Sequence, residues 1–298
     1  MTQASLSPRA WMLLILLSLI WGSSFLTTTT LVGIMAPLHV VTHRVLWAAL
    51  FLWAYVLVRR LPLPRDRGTV LALLVMGAAN NAIPFALQAY AQQSIESGLA
   101  GILNATTAIF GPLMAAIFLA DERLTRRKAT GVALGFFGVA VILGLDSLRS
   151  FDLRALAQLA MLGSTMAYAL SSVWARKRLR HLRPEVAALG MLTGAALIML
   201  PLSWLAAGPL PLALPPDILA AIAYYALVVT AGAYLLYYAV INIAGAGNAT
   251  LVTLLIVPTA VALGAMVRAE ALPLSAYLGF GLIALGLVVI DGRLFRRR

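Results

Sequence analysis

Two asparagines, a proline and a glutamine interrupt an apolar stretch in the first third of the chain: Asn80, Asn81, Pro84 and Gln88. In a helix, Asn80, Pro84 and Gln88 would share one face at positions i, i+4 and i+8, with Asn81 beside them. Proline leaves a backbone carbonyl one turn upstream without its usual donor, so that carbonyl can bind a ligand or water. This face is predicted to line a polar cavity. The alternative is hydrogen bonding between neighbouring helices.

Aromatic side chains and one further amide extend the set of candidate binding residues. Trp21 and Tyr168 lie 147 positions apart, at matching places in the two halves of the chain. Tyr224 and Tyr234 are ten residues apart, roughly on one helical face. Such rings can pack a substrate side chain or hold a cationic amine over a π-face, although membrane interfaces also collect Trp and Tyr. Asn104 fits cavity lining and helix packing equally well.

Charged residues within the apolar stretches are few. Arg44 could bind a substrate carboxylate, but a structural role at the membrane surface or against backbone carbonyls is favoured. Glu122 and Glu270 are predicted to pair or cap at helix ends. The central parts of the stretches contain no Asp or Glu, whereas ion-driven carriers usually keep a carboxylate there. The sequence therefore favours facilitated diffusion, with His43 as the only alternative proton relay.

Other kinds of site find little support in the sequence. The chain has no cysteine, and its three histidines show no metal-ligand spacing with carboxylates. No catalytic residue, metal site or cofactor is predicted, because HExxH, Ser/His/Asp and paired-acid patterns are missing. The formal charge of +12 does not indicate nucleic-acid binding, because the basic residues lie between apolar runs. An integral membrane enzyme, a channel or a receptor is a more distant alternative.

Membrane-spanning helices must position the candidate residues. Apolar residues make up 62% of the chain and charged residues 11%, whereas a soluble domain carries roughly 45–50% and about 25%. A bilayer core of about 30 Å requires ~20 apolar residues per helix. The chain is therefore predicted to be an all-α polytopic membrane protein of ten transmembrane helices, at 10–31, 37–58, 69–91, 97–119, 127–145, 155–175, 185–206, 217–240, 245–267 and 273–291.

The distribution of basic residues predicts the orientation. With ten spans, 18 of the 22 Lys and Arg residues fall on the side of the N-terminus and three on the opposite side, and Arg44 lies within a span. Cytoplasmic loops carry the excess of positive charge, so both termini are predicted to be cytoplasmic. The predicted location is a bacterial inner membrane, which the chain crosses several times.

The second half of the chain resembles the first at an offset of 148 residues. Tyr90 matches Tyr238, and the scarce carboxylate Glu122 matches Glu270. The predicted units are 1–147 and 148–298, with five helices each. Because five is odd, the second unit enters the membrane from the opposite side. Inverted repeats of this kind place a substrate site at the bilayer midplane, between the halves, and allow alternating access.

Several motifs resemble those of the EamA-type ten-helix exporters in the drug/metabolite transporter superfamily. WGSSF at 21–25 is similar to the opening signature of that family, and Pro37 followed by Arg44 is similar to its second-helix pattern. ADERL at 120–124 and AEAL at 269–272 resemble its repeated Gly-Glu-x-Leu ending, with Asp and Ala in place of Gly. The resemblance implies a cavity lined by helices 1, 3, 4, 6, 8 and 9, with helices 5 and 10 at the periphery.

The resemblance also implies a function. It points to export of small neutral or zwitterionic metabolites, above all amino acids including aromatic ones. The expected partners are this small-molecule substrate and the lipid bilayer, without nucleic acid. The glycine pairs Gly131/Gly135 and Gly190/Gly194 favour packing within one chain over dimerisation, which is compatible with a monomer. A proton-coupled metabolite or drug exporter of the same superfamily is the alternative.

Overall fold

The computed structural model describes residues 7–144, 153–249 and 251–291, which form helices and turns without a β-strand. The main helices are α1 Pro8–Val32, α2 Pro37–Val58, α3 Arg67–Ala91, α4 Ser97–Phe118, α5 Arg126–Leu143, α6 Leu153–Arg178, α7 Pro184–Ala207, α8 Pro216–Ala244, α9 Val252–Arg268 and α10 Leu274–Asp291. A short helix, Ala246–Ala249, precedes α9. The predicted boundary between 147 and 148 and the basic C-terminal residues 293–298 lie outside the described residues.

Most of these helices have the length and apolar character of membrane spans. Eight qualify among the described residues, namely α1 to α4, α6 to α8 and α10. Helix α9 has only 17 residues, and α5 carries Arg126, Arg127 and Lys128 in its first turn. The all-helical membrane architecture is therefore confirmed. Ten crossings and cytoplasmic termini stay predictions.

The ninth predicted span is divided in the structure. Residues 245–267 were expected to form one helix, but a turn at Leu251 separates Ala246–Ala249 from α9. Gly245 and Gly247 weaken helix propagation there, because glycine costs up to about 1 kcal/mol relative to alanine in a helix. Helix α4 is likewise interrupted, at Ala105 and Thr106.

The helix ends gather at two ends of the bundle. We call the end at which α1 begins the near end and the opposite one the far end. At the far end, Thr29 of α1 donates a hydrogen bond to Gln92 after α3. At the near end, Thr69 of α3 lies 3.4 Å from the Nε2 atom of His181, which follows α6. Helices that are adjacent in the sequence therefore run in opposite directions.

Helices α5 and α10 cross closely and antiparallel. Gly131 faces Gly286 and Gly138 faces Gly279, and a Cβ at any of these positions would lie 2.5–2.6 Å from a backbone oxygen of its partner. Such close approach requires residues without a side chain. Gly131 matches Gly279 and Gly138 matches Gly286 at the offset of 148. Two helices that correspond in the repeat therefore point in opposite directions.

Helices α3 and α8 contain π-helical turns at overlapping repeat positions. The turn in α3 covers Ala78–Ala82, and the turn in α8 covers Tyr224–Gly232. Pro84 is buried just after the first turn. Its ring and missing N–H disrupt α-helical bonding one turn upstream, which the wider π-turn accommodates. Because π-turns occur often at functional sites, both turns mark the region where a site is expected.

Candidate functional site

Asn80 and Asn81 connect α3 to two other helices. Asn81 Nδ2 donates to the Tyr234 hydroxyl of α8 at 3.0 Å, and Asn80 Nδ2 lies 3.3 Å from the same oxygen. Asn80 Oδ1 accepts a 2.8 Å hydrogen bond from the Ser171 hydroxyl of α6. Asn80 is partly exposed within the bundle, whereas Asn81 is fully buried and its Oδ1 has no hydrogen-bond partner. One buried acceptor therefore remains available.

Gln88 continues this polar face along α3. Its Nε2 donates to the Ser164 hydroxyl at 2.9 Å and to the Tyr168 hydroxyl at 3.1 Å, both on α6. One turn further, Gln92 Oε1 accepts a 3.1 Å hydrogen bond from Thr29 of α1. Both glutamines are buried. A line of polar groups thus follows α3 from the far end into the bundle, on the face that the i, i+4, i+8 spacing predicts.

Two predicted aromatic residues lie on the first helix of each half: Tyr168 of α6 beside this polar line, and Trp21 of α1 against α8. Trp21 of α1 packs against Tyr237 of α8, with ring centroids 5.3 Å apart and planes inclined by 44°. Tyr237 in turn lies 5.9 Å from the ring of Tyr238. Trp21, Tyr168 and Tyr237 are all partly exposed. The Tyr168 ring therefore adds apolar and π surface beside the polar groups of α3, and Trp21 and Tyr237 add it between α1 and α8.

Tyr224 and Tyr234, predicted to lie roughly on one face of a helix, contact different helices. Tyr234 reaches the asparagines of α3. Tyr224 is 39% exposed, and its hydroxyl lies 2.7 Å from that of Ser23 in α1. The π-turn between them alters the angular step per residue, so α-helical spacing does not hold here. Tyr234 therefore belongs to a polar cluster with Asn80, Asn81 and Ser171, and Tyr224 lies outside this cluster.

Asn104 ends the first segment of α4. It is partly exposed, and its amide makes no hydrogen bond to any described residue. The nearby Thr106 is occupied instead, because its hydroxyl donates to the Leu103 carbonyl at 2.7 Å and contacts Thr165 at 2.9 Å. Unlike Thr106, Asn104 thus has hydrogen-bond donors and an acceptor that no described residue occupies.

Arg44 of α2 supplies a buried charge that interacts mainly with α8. Its Nε donates to Thr230 Oγ1 and its Nη1 to the Tyr225 hydroxyl, both at 2.9 Å. The guanidinium carbon lies 3.5 Å from the ring centroid of Phe85 and 4.5 Å from that of Tyr225. Arg44 is 5% exposed. Among the described residues no carboxylate forms an ion pair with it.

The π-turn of α8 explains how Tyr225 and Thr230 both reach this cation. Residues five apart point about 140° away from each other around an α-helix. The i→i+5 bonding of a π-helix brings them to the same side, and the Thr230 hydroxyl donates to the Tyr225 carbonyl at 2.9 Å. Sequence reasoning did not select Tyr225, Thr230 or Phe85 as site residues, because the π-turn of α8 has no proline to signal it.

His43 is held by structural hydrogen bonds. Its Nδ1 accepts from the Trp47 indole at 3.1 Å, and its Nε2 lies 3.0 Å from the Pro211 carbonyl oxygen. Since the indole can only donate, the imidazole is neutral and carries its proton on Nε2. His39 Nε2 similarly contacts the Gly208 carbonyl at 3.2 Å. Both histidines therefore hold the loop after α7 against α2.

Glu270 caps the start of α4 at the far end. Its carboxylate accepts from the backbone N–H groups of Ser97 and Gly98 at 3.0 Å each, and from the Ser97 hydroxyl at 2.9 Å. Unpaired N–H groups and the helix dipole favour a carboxylate there. Glu96 bonds Arg154 of α6 through both oxygens, at 3.1 and 2.7 Å. We call these five residues the far-end clasp.

A polar cavity lies against the far-end clasp. Its volume is about 490 Å³. Its lining comes from α1, the α3–α4 connection and the segment after α9, namely Thr29, Val32, Gly33, Gln92, Gln93, Ser94, Ile95, Glu96, Arg268 and Glu270. The buried Gln92 at its wall also contacts the polar line of α3. The cavity and that line thus share one residue.

Glu122, the repeat partner of Glu270, has other contacts at the near end. Its two oxygens lie 3.0 Å from Lys128 Nζ and from Arg176 Nη1, and Arg176 also pairs with Asp121. Lys128 and then Arg176 hold the pKa of the Glu122 carboxyl below its ordinary value. Glu122 makes no hydrogen bond to the start of the short helix Ala246–Ala249, which matches the start of α4.

Comparisons with known proteins agree with this architecture. A model of the EamA-like transporter family matches residues 9–144 and again 155–291. Two Archaeoglobus fulgidus proteins, each described as an uncharacterized transporter, are 25% identical over 240 and 294 residues. The first alignment covers 80% of this chain and 82% of the relative, the second 95% and 98%. A crystal structure with 20% identity superposes with a TM-score of 0.67 over 97% of this chain and 99% of that chain, which supports the fold alone.

Proposed function

Because the chain belongs to the EamA-like transporter family, we propose that it exports small neutral or zwitterionic metabolites across a bacterial inner membrane. Amino acids, aromatic ones included, are the proposed substrates. One observation carries this proposal: amides of α3 and partly exposed tyrosines of α6 and α8 meet around Asn80, Tyr168 and Tyr234. These helices come from both halves of the chain.

The chemistry of this cluster fits such substrates. Amides offer both donors and acceptors, and the rings offer apolar surface and π-faces. Among the described residues, Arg44 is the only buried charged side chain, and it bonds α8. A phosphate-rich substrate would require several Arg or Lys side chains. The cluster therefore favours molecules with little net charge.

The proposed mechanism is alternating access between two inverted units, 1–147 and 148–298. It is supported by the two separate family matches and by the antiparallel crossing of α5 and α10. The far-end clasp joins α4 to the segment after α9, whereas the corresponding bonds are not formed by Glu122 at the near end. This difference fits a carrier that is closed at the far end. We place both termini, and so the near end, in the cytoplasm.

Transport is proposed to run down the substrate gradient without a coupled ion. The described parts of the spans hold no carboxylate near the cluster, and both ring nitrogens of His43 are engaged. Proteoliposomes with and without an imposed pH gradient test this directly. Equal flux supports the uncoupled mechanism, and a strict requirement for the gradient would replace it with the proton-coupled alternative.

Counterflow into proteoliposomes tests the function. Vesicles loaded with one unlabelled proteinogenic amino acid at a time should accumulate the labelled form transiently, with saturable rates. Counterflow requires a carrier that exposes its site to one side at a time, so a channel would equilibrate the label without overshoot. Failure of every amino acid to show counterflow would refute the proposed substrate class.

Two adjacent serines of α6 provide a matched pair for the proposed site. Both hydroxyls bond their own helix, but only Ser171 also bonds Asn80, whereas Ser172 is exposed on the outer side. Ser171→Ala removes a hydrogen bond worth about 1 kcal/mol and should raise the KM of counterflow severalfold. Ser172→Ala should leave the KM unchanged. Equal KM values for the two variants would argue against a substrate site at Asn80.

A further inference from the structure

Arg44 is a buried cation with unused hydrogen-bonding capacity. An arginine has five N–H donors, and only two of them, on Nε and Nη1, bond a described residue. The other Nη1 donor and both Nη2 donors have no hydrogen-bond partner among the described residues. The side chain lies seven residues, about 10 Å, from the start of α2, so it cannot be treated as a surface group.

The neighbours of Arg44 stabilise its charge without neutralising it. The Phe85 and Tyr225 rings attract a guanidinium through their π-faces, and two hydroxyl oxygens accept hydrogen bonds from its N–H groups. A buried charge without a counter-ion is costly in the low dielectric of a membrane protein. The uncompensated charge is therefore suited to an anion that arrives from outside the chain.

We infer that Arg44 binds the carboxylate of the transported molecule. This rests on the proposed transport function and narrows its substrate class to carboxylates. The donors that remain on Nη1 and Nη2 lie in the plane of the guanidinium, as a two-oxygen acceptor requires. The rings of Phe85 and Tyr225 pack on the guanidinium instead of bonding these donors. The charge is therefore presented on donors that no described residue occupies.

Asn81 provides a second, independent group for the same ligand. Its unpartnered, fully buried Oδ1 is an acceptor, and Asn81 lies one turn before Phe85 on α3. A cation with free donors and an amide with a free acceptor suit a molecule that has a carboxylate and an ammonium group. An α-amino acid has both, whereas a simple amine lacks the anion.

Matched ligands on the purified wild-type protein test the inference without any mutation. Binding would be measured by thermal shift and by inhibition of counterflow. Each amino acid would be compared with its α-amide, and propionate and benzoate would serve as carboxylates that lack an amine. We expect the amide to bind at least tenfold more weakly than the acid. An amide that binds as tightly as its acid would overturn the inference and leave amino-acid transport standing. If propionate or benzoate binds and no amino acid does, the inference stands and the proposed substrates fall.

Variants then assign the discrimination to Arg44. Arg44→Gln should abolish the preference for the acid over the amide while amide binding, which also reports correct folding, is kept. Arg44→Lys should retain part of the preference. Arg59→Gln, at an exposed position without an ion pair to any described residue, should behave as wild type. An unchanged acid-to-amide ratio in Arg44→Gln would overturn the inference, as would a panel in which neither amino acids nor simple carboxylates bind.

Discussion

The two ends of the bundle carry glutamates that match in the repeat but have different partners. Glu270 bonds the first backbone N–H groups of α4 and thereby links α4 to the segment after α9. Glu122, 148 residues earlier, instead pairs with the side chains of Lys128 and Arg176. One carboxylate thus caps a helix from the other half of the chain, and its counterpart does not.

Helix packing is also closer at the far end than at the near end. At the far end, a Cβ at Gly101 of α4 would lie 2.5 Å from Ala260 of α9, and one at Gly264 would overlap Glu270. Toward the near end, a Cβ at Gly111 of α4, or at Gly245 before the short helix, would meet nothing within 4 Å. Among the described residues, the contact between α4 and the α9 region is therefore formed at one end only, as the proposed mechanism of alternating access requires.

Sequence differences explain why the clasp forms at the far end and not at the near end. The repeat counterpart of Ser97 is Gly245, and the counterpart of Glu96 is Ala244. A near-end clasp made by Glu122 would therefore lack the serine hydroxyl and the ion pair that Arg154 makes with Glu96. Its capping bonds would be limited to backbone N–H groups. The chain is thus expected to favour far-end closure when no substrate is bound.

The largest effect is expected from Glu270→Gln. Loss of the charge weakens hydrogen bonds worth about 1.5–3 kcal/mol, and 1.4 kcal/mol corresponds to roughly a tenfold change in an equilibrium. The chain has no cysteine, so Gln92→Cys introduces a single reporter in the wall of the far-end cavity. Its labelling by an impermeant maleimide should rise about tenfold in the Glu270→Gln background.

The control for this change is the matching carboxylate. Glu122→Gln should leave labelling of the Gln92→Cys reporter unchanged, since Glu122 does not contribute to far-end closure. Equal acceleration by both substitutions would remove the distinction between the ends. No acceleration by Glu270→Gln would show that packing of α4 against α9 closes the far end by itself.

A smaller effect is expected from added volume between α4 and α9. Gly101→Ala forces the two helices apart, and overpacking costs at least about 1 kcal/mol, which corresponds to a factor of about five. Labelling of the reporter should increase to that extent, and the Tm should fall. Gly111→Ala on the same helix meets no neighbour and favours helix formation, so its Tm should be unchanged or higher. A similar loss of Tm in both variants would contradict the proposed difference in packing.

The helices, the helix-end glutamate and the polar face of α3 could be predicted, because each depends on residues close together in the sequence. Long apolar runs specify helices in lipid because backbone groups must be satisfied within the segment, and a scarce carboxylate after an apolar run predicted the helix-end role of Glu270. The polar face of α3 followed from spacing alone, since Asn80 and Gln88 both bond α6. Each of these features depends on residues that are close together in the sequence.

The contacts of Arg44 could not be predicted in this way. Its hydrogen-bond partners Tyr225 and Thr230 lie on α8, 181 and 186 residues after Arg44, and Phe85 lies on α3. Tyr225 and Thr230 share a face only because α8 forms a π-turn. Periodicity at 3.6 residues per turn separates them. The site thus depends on a deviation from regular helix geometry and on tertiary packing.

The smallest expected effect concerns pH at the near end. Lys128 and Arg176 lower the pKa of Glu122 in the folded protein, so the ionised carboxylate contributes stability above the ordinary glutamate pKa of about 4.3. That contribution is lost as the pH falls through the lowered folded-state pKa. The Tm difference between wild type and Glu122→Gln should be small at neutral pH, because partly exposed ion pairs contribute at most about 1 kcal/mol, and should vanish in acid. A difference that grows on acidification would mean that the protonated glutamate is the stabilising form and that the near end is held by a different contact.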